Sequence, residues 1–148
     1  MPNWCNNQLS VRGPVVDVQR FKEKAVGHSP WLTPKEIRNE EPSPLNFHSL
    51  VPVPEEMIKA GYNEVAYNWE KAHWGCKWGD CNAQILHEGQ GHVTYEFDTA
   101  WVPPTEFIEQ ASKDWPALRL QLDYDEPGNG LHGTAEARGG RVEDSCVP

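Results

Sequence analysis

One stretch of the sequence, residues 68–83, marks a change in the spacing of the apolar side chains. Before it, apolar residues recur at helical spacing, and after it they alternate with polar ones. The stretch itself, NWEKAHWGCKWGDCNA, holds three of the seven tryptophans and two of the four cysteines, so it is also where unusual chemistry is concentrated. A chain that changes period in this way combines helices with a sheet, which predicts an α+β protein.

Alternation of apolar and polar residues predicts five strands. It is clearest in LRLQLDYD, where Leu118, Leu120, Leu122 and Tyr124 share one face. The EGQG segment is a hairpin turn between two of the strands. The tail from residue 139 shows no such pattern, and we expect it to be loosely held. The predicted strands are residues 7–12, 82–87, 92–97, 118–125 and 131–138, the last a weaker edge strand.

Helical spacing predicts one helix over residues 15–26 and another over residues 105–115. Between the first helix and the second strand lies an insertion of about residues 28–80. Its six prolines in residues 28–56 prevent any long regular element. A short helix is expected to begin at Pro54. A further helix is expected over about residues 63–73, with Val65, Trp69 and Ala72 or His73 on its apolar face.

Without the insertion, the elements follow the β-α-β-β-α-β order of the ferredoxin-like plan. The length of 148 residues corresponds to one domain, residues 1–148. The sequence therefore predicts a single ferredoxin-like sandwich. Its insertion, irregular, proline-rich and partly helical, follows the first helix.

The charge is unevenly distributed along the chain. Residues 1–74 carry 9 acids and 8 bases, whereas residues 75–148 carry 13 acids and 5 bases. An acidic second half disfavours binding to a phosphate backbone and favours a partner with a basic surface. Solubility alone is the simpler explanation of such a surface.

The N-terminus has no basic region followed by an apolar run, and no segment approaches the roughly 20 apolar residues of a membrane span. We therefore expect a cytoplasmic protein that does not bind membranes. Its cysteines, which show no CxxC pair, are expected to be thiols.

The candidate binding site is centred on Trp74, Lys77 and Trp78. A lysine between two indoles can contact a ring face, a cation–π arrangement worth about 0.5–2 kcal/mol. The cluster could thus stack on a base, another ring or a partner's side chain. The structural alternative is that both indoles pack the insertion onto the sheet. Asp80 follows directly and is included in the site.

A second candidate region follows the third strand and contains Asp98 and Trp101. Polar groups at a strand end are often functional. Equally, an aspartate or threonine here can order the loop or cap the next helix. The outward sheet face is expected to carry no aromatic ring, which argues against stacking of RNA bases. Its expected residues are Gln8, Ser10, Arg12, Gln84, Thr94, Glu96, Arg119, Gln121 and Asp123.

Catalytic and metal sites have weaker support in the sequence. A cysteine nucleophile needs a nearby base, and only sequence proximity links His73 to Cys76 or His87 to Cys81. The spacing of these four residues fits no closed zinc site. No cofactor motif is present. An enzyme that uses Cys76 or Cys81 is therefore the third alternative, and the sequence favours a protein without catalytic residues.

Five blocks occur in order across nearly the whole chain: MPNWCNN, LNFHSLVPVPEEM, YNWEKAHWGCKWG, YEFDTAWVPP and LDYDEPG. Together they resemble the YubB-like family of plasmid- and phage-borne proteins. The resemblance implies a ferredoxin-like domain and a mobile-element setting, and it implies no catalytic residues. Cys76 and Cys81 depart from the Trp-Gly-x-Lys-Trp pattern of that family.

The leading hypothesis from the sequence is a non-enzymatic binding protein of a mobile genetic element. Its acidic second half would occupy, and so modulate or inhibit, a host or competitor protein. The alternative is a small-molecule protein that binds or sequesters a nucleotide or metabolite through the Trp74–Trp78 region. The sequence identifies neither the partner nor the oligomeric state, nor does it decide the redox state of Cys5, Cys76, Cys81 and Cys146.

Overall fold

The protein is built on one antiparallel sheet of six strands. A computed structural model describes residues 2–147 of the chain. The strand order across the sheet is β2-β3-β1-β4-β5-β6, so β1 lies between β3 and β4. Each neighbouring pair is antiparallel. The strands are β1 (Trp4–Arg12), β2 (Cys81–Gly89), β3 (His92–Ala100), β4 (Arg119–Glu126), β5 (Leu131–Arg138) and β6 (Arg141–Val147).

Within the described residues, six helices accompany the sheet, and four of them lie in the predicted insertion. The α+β class predicted from the change of period is confirmed. The helices are α1 (Val15–Ala25), α2 (Pro34–Asn39), α3 (Phe47–Leu50), α4 (Glu55–Ala60), α5 (Glu64–His73) and α6 (Thr105–Asp114).

The prediction of a loosely held tail is wrong, because residues 141–147 form the edge strand β6. Gly139 and Gly140 both adopt positive φ, at 59° and 86°, which allows a tight turn after β5. The chain then pairs back along β5, with Glu136 opposite Glu143. β5, predicted as an edge strand, is consequently internal, and the sheet has six strands where five were predicted. The exposed side of an edge strand needs no apolar alternation, which is why the sequence pattern missed it.

The insertion contains short helices that its prolines start rather than interrupt. Pro34 begins α2 behind a capping box between Thr33 and Glu36, and Pro54 directly precedes α4. Neither helix exceeds six residues, in agreement with the prediction that no long element forms there.

The predicted apolar face of α5 is correct at Trp69, which packs against the core, but wrong at its other positions. Val65 is 59% exposed, whereas Ala66 and Glu70 are buried. Ala66 and Glu70 are four residues apart and therefore share a face of the helix. The spacing of apolar residues did not reveal this buried face, because one of its members, Glu70, is charged.

The insertion also supplies part of the hydrophobic core. Phe47 is fully buried, and its ring stacks on Phe107 of α6 with centroids 3.8 Å apart. The same ring meets Phe97 of β3 and Trp74 edge-on, both at 5.7 Å. Phe47 thus joins the insertion to the sheet and to α6.

No helix in residues 2–147 has the length and apolar character of a membrane span.

We predict that Phe47→Ala lowers the free energy of unfolding by about 3–5 kcal/mol, because it removes a fully buried ring and leaves a cavity. Urea unfolding measures the change. Val65→Ala, an exposed position, is the control and should change stability by less than about 0.5 kcal/mol. Equal effects of the two substitutions would contradict the placement of Phe47 in the core.

Candidate functional site

One face of the sheet is free of helices and carries mainly polar side chains. On β1, Cys5, Asn7, Leu9 and Val11 are buried in the core, and the alternate residues face outward. The predicted outward residues of β1 and β4 are confirmed. Thr94 also lies on this side but is buried, and its hydroxyl lies 3.1 Å from that of Ser10.

Four carboxylates flank the middle of β1 on this free face. Asn6 lies between Asp98 and Asp125 in the strand register, and Gln8 lies between Glu96 and Asp123. Adjacent strands are about 4.8 Å apart, so the carboxylates of β3 and β4 face each other across roughly 10 Å. We call Glu96, Asp98, Asp123 and Asp125 the acid rows.

The acid rows are held by neutral groups. Asn6 Nδ2 donates to Asp98 Oδ1 at 3.3 Å, and the Thr134 hydroxyl donates to Asp123 Oδ1 at 2.7 Å. None of the four acids forms an ion pair with a lysine or arginine in residues 2–147. A shallow depression of about 480 Å³ over β1, β4, β5 and β6 is lined by Asp123 and Asp125. Negative charge is therefore available to a partner on this face.

The far end of β1 has the opposite charge. Arg12 lies opposite His92 on one side and Arg119 on the other. Arg119 donates to Glu136 at 3.1 Å, whereas Arg12 forms no ion pair among residues 2–147. Along β1, the free face thus changes from acidic to basic over a few residues.

Three exposed indoles lie at the acidic end of the sheet. Trp4, Trp78 and Trp101 are 40%, 42% and 43% exposed. The rings of Trp4 and Trp78 have centroids 6.4 Å apart. Trp4 pairs with Ala100, and the backbone N–H of the next residue, Trp101, donates to Asn3 O at 2.8 Å. We call these three residues the tryptophan cluster.

The expectation that the outward face carries no aromatic ring is wrong. β1 begins at Trp4 rather than at residue 7, so Trp4 takes the outward position next to Asn6. The polar run from Asn3 to Asn7 concealed this, since it lacks alternation between apolar and polar residues. Counting back in steps of two from Gln8 would have placed Trp4 on this face.

Two members of the tryptophan cluster have an unusual backbone conformation. Trp78 and Trp101 both have φ of 71°, in the left-handed region. Bulky residues rarely adopt this region, where a Cβ costs about 1–2 kcal/mol. Such strain is most often found at functional sites. The sequence contains neighbouring glycines, Gly75 and Gly79, but nothing in it marks the tryptophans themselves as left-handed.

Glu70 of α5 holds Trp78 in place. This fully buried carboxylate accepts three hydrogen bonds: from Trp31 Nε1 at 3.2 Å, from the Tyr62 hydroxyl at 2.8 Å and from the backbone N–H of Trp78 at 3.1 Å. Burial and the bond to Glu70 both raise the pKa of Tyr62. Glu70 was not predicted as a site residue, although its spacing of four residues from Ala66 was a usable signal.

The predicted lysine contact exists, but with only one indole. Lys77 Nζ lies 4.1 Å from the centroid of the Trp78 ring, a cation–π distance. Lys77 and Trp101 also line a small pocket of about 240 Å³. Lys77, Trp78 and Trp101 of the predicted site are thus close together at the surface.

Trp74 and Asp80 have structural roles instead. Trp74 is 1% exposed, and its Nε1–H donates to Val51 O at 3.0 Å, so its indole belongs mainly to the core. Asp80 accepts from the backbone N–H of Phe47 and from the Ser43 hydroxyl, both at 2.9 Å. Burial raises the pKa of Asp80, and these bonds oppose the shift. Both residues fasten the insertion, so their contacts are structural, and both also line a cleft beside it.

The cysteines are not activated as nucleophiles. Burial raises the pKa of Cys5 to about 12 and that of Cys81 to about 11, and it also raises the pKa of Cys76. Acids near Cys81, namely Asp80 and Asp98, act in the same direction. Cys146 is exposed on β6. Among the described residues, no three histidine, cysteine, aspartate or glutamate side chains converge as metal ligands.

The antiparallel sheet with helices on one side and a free polar face defines an α+β protein of the ferredoxin-like class. Residues 73–148, just over half of the chain, match the family model described as the ferredoxin-like domain in Api92-like protein. The chain therefore belongs to the Api92-like family. The ferredoxin-like domain predicted from the sequence is confirmed.

A solved structure agrees with this class. The chain is similar to the crystal structure of protein api92 from Yersinia pseudotuberculosis, with a TM-score of 0.72 and 11% sequence identity. The similarity covers 100% of this chain and 99% of that one. At this identity the likeness concerns the fold. The curated proteins include no match.

We predict that Glu70→Ala lowers the free energy of unfolding by about 2–4 kcal/mol, since three donors lose the buried carboxylate that accepts from them. Chemical unfolding measures this change. Glu64→Ala, in the exposed first turn of the same helix, should change stability by about 0.5 kcal/mol or less. A loss for Glu70→Ala no greater than that of the control would show that the carboxylate does not organise this region.

The raised thiol pKa values predict a loss of stability at alkaline pH. Unfolded thiols lose protons near their ordinary pKa of about 8.5, whereas Cys5 holds its proton in the folded state to about pH 12. The unfolded state therefore binds fewer protons between these limits, and the free energy of unfolding falls as pH rises. Urea unfolding across this range should show a shallower decline for Cys5→Ala. Parallel curves for the two proteins would contradict the prediction.

Proposed function

We propose that the protein is a non-enzymatic binding protein whose interaction surface combines the tryptophan cluster with the acid rows. Its partner is a protein with a basic surface. The observation that carries this proposal is that two exposed tryptophans, Trp78 and Trp101, occupy left-handed backbone positions.

The strained backbone at Trp78 and Trp101 favours a role of their side chains in binding. Stability alone would favour glycine at φ of 71°, because glycine has no Cβ to clash there. The side chains of Trp78 and Trp101 remain 42% and 43% exposed, so burial within the chain compensates the strain only in part. Tryptophan is, however, among the residues that most often dominate the energy of protein interfaces. Retaining strain to present an indole is consistent with a binding role.

The acid rows favour a basic partner. Their carboxylates have no cationic partner within the described residues, so a basic surface could approach without displacing an existing ion pair. Complementary charge increases association rates and excludes wrong partners. It also disfavours RNA, although Trp4 supplies the outward ring that RNA-binding sheets require, because phosphates would meet the same carboxylates.

The resemblance to YubB-like proteins supports a mobile-element setting for this binding. In that setting the protein would occupy, and thereby modulate or inhibit, a cytoplasmic protein of the host or of a competitor. On this view β1-α1-β2-β3-α6-β4 forms the β-α-β-β-α-β core, and the β5–β6 hairpin extends its sheet. The thiols of Cys5, Cys76 and Cys81 favour binding over catalysis, because their raised pKa values withhold the thiolate.

A pull-down from host lysate with matched variants tests the proposal. One variant neutralises the acid rows without changing their size, and a second removes the same number of charges elsewhere. We expect the first to lose a partner that the wild type and the second retain, and we expect that capture to weaken with added salt. Equal loss in both variants, or no captured partner, would contradict the proposal. The first variant is E96Q/D98N/D123N/D125N, and the second is E23Q/E55Q/E56Q/E64Q.

Replacing the strained tryptophans separates binding from stability. We predict that Trp78→Gly and Trp101→Gly are each about 1 kcal/mol more stable than the matching alanine variants, since glycine tolerates positive φ. Glycine and alanine variants should lose capture of the partner equally, since both lack the indole. Thermal unfolding and the same pull-down measure the two effects. Full capture by the glycine variants would show that the indoles are not the contact.

A further inference from the structure

A cleft separate from the free sheet face lies between the insertion and the segment around Trp78. Its volume is about 490 Å³, within the usual range of small-molecule sites. One wall comes from the chain between α1 and α3, and the other from the start of β2. The lining residues that bear on its chemistry are Asn46, His48, Glu40, Glu41, Pro44 and Trp78.

Asn46 supplies the first hydrogen-bond donor of the cleft. Its Oδ1 accepts from the backbone N–H of Ser49 at 2.9 Å and from the Ser49 hydroxyl at 3.0 Å. A backbone N–H can only donate, which fixes the orientation of the amide. The Nδ2 group therefore occupies the other position, and it forms no hydrogen bond among residues 2–147.

His48 supplies a second donor. Its Nδ1 accepts from the backbone N–H of Val53 at 2.9 Å, and burial lowers the pKa of the ring. A neutral imidazole with an accepting Nδ1 carries its proton on Nε2. That N–H also lacks an acceptor in the described part of the chain. The cleft thus contains two donors whose orientations are fixed by the backbone.

The remaining lining determines what kind of molecule fits. Proline rings and Trp78 provide flat apolar surfaces, which suit a planar ring. Glu40 and Glu41 are acidic, and none of the described lining residues is lysine or arginine, so anions are disfavoured. Acceptor atoms on the ligand would satisfy the two donors, and its own N–H groups could donate to the glutamates.

We propose that this cleft binds an uncharged nucleobase or nucleoside through a ring carbonyl oxygen. The carbonyl accepts from Asn46 Nδ2 and His48 Nε2, and the ring lies against Trp78. The site is independent of the acid rows. It also refines the small-molecule alternative from the sequence, because Trp74 and Trp78 both line the cleft but Trp74 is almost fully buried.

Isothermal titration calorimetry with four probes tests the ligand class. Uridine and cytidine carry a ring carbonyl, adenosine lacks one, and uridine 5′-monophosphate adds negative charge. We expect uridine or cytidine to bind. Adenosine and the monophosphate should each bind at least about tenfold more weakly. Adenosine lacks the carbonyl that accepts the hydrogen bonds, and the phosphate is repelled by the glutamates. Absence of binding by both carbonyl nucleosides, or preference for the monophosphate, would overturn the proposal.

Asn46→Asp tests the site itself. Aspartate keeps the oxygen that accepts from Ser49 but replaces the donor, so we expect about tenfold weaker binding with the fold retained. Asn63→Asp is the matched control, because Asn63 accepts from Ala66 N in the same capping role at α5. It should bind like the wild type. Equal affinity of Asn46→Asp and the wild type would overturn the proposal.

The wild-type protein provides a further measurement should Asn46→Asp fail to fold. Addition of uridine should shift the Asn46 side-chain amide protons in NMR spectra and leave those of Asn63 unchanged. Shifts confined to other residues would place the ligand elsewhere. The acid-row variant E96Q/D98N/D123N/D125N should bind uridine normally, which distinguishes failure of this site from failure of the interaction surface.

Discussion

The buried carboxylate of Glu70 is the interaction on which the arrangement of the insertion depends. A carboxylate removed from water is costly unless its oxygens receive hydrogen bonds. Here the donors come from three separate places: the loop before α2, the turn before α5 and the segment that leads to β2. The cost of burying the Glu70 carboxylate is therefore offset only when all three segments are in place to donate their hydrogen bonds. One polar group makes several short, proline-rich pieces fold as a unit.

Phe47 and Asp80 complete this assembly from the other side. The phenylalanine places an apolar ring among Trp74, Phe97 and Phe107, while the aspartate binds the backbone at the start of α3. Core packing and hydrogen bonds thus both hold the start of α3 in place. With the insertion fixed in this way, the loop that carries Lys77 and Trp78 has a rigid base, which an interaction surface needs.

The period of the apolar residues was sufficient to predict the α+β class, β1, β4, α1 and α6. It failed where burial does not follow polarity. β6 lies at an exposed edge, and Glu70 is polar yet buried, so neither produces an apolar signal. The sequence also could not distinguish Trp74 from Trp78. Which of two nearby indoles is buried depends on Phe47, a residue 27 positions before Trp74 in the chain, and local spacing contains no information about that contact.

The free sheet face differs at its two ends in a way that limits how any partner can lie on it. Indoles come first along β1, then carboxylates, then Arg12 beside Arg119. A partner whose basic residues match the carboxylates would, if turned end for end, bring them against arginines instead. Turning the partner around would therefore replace the attraction to the carboxylates with repulsion by the arginines. The charge on this face therefore has a direction along β1, and a partner with matching charges can bind in only one orientation.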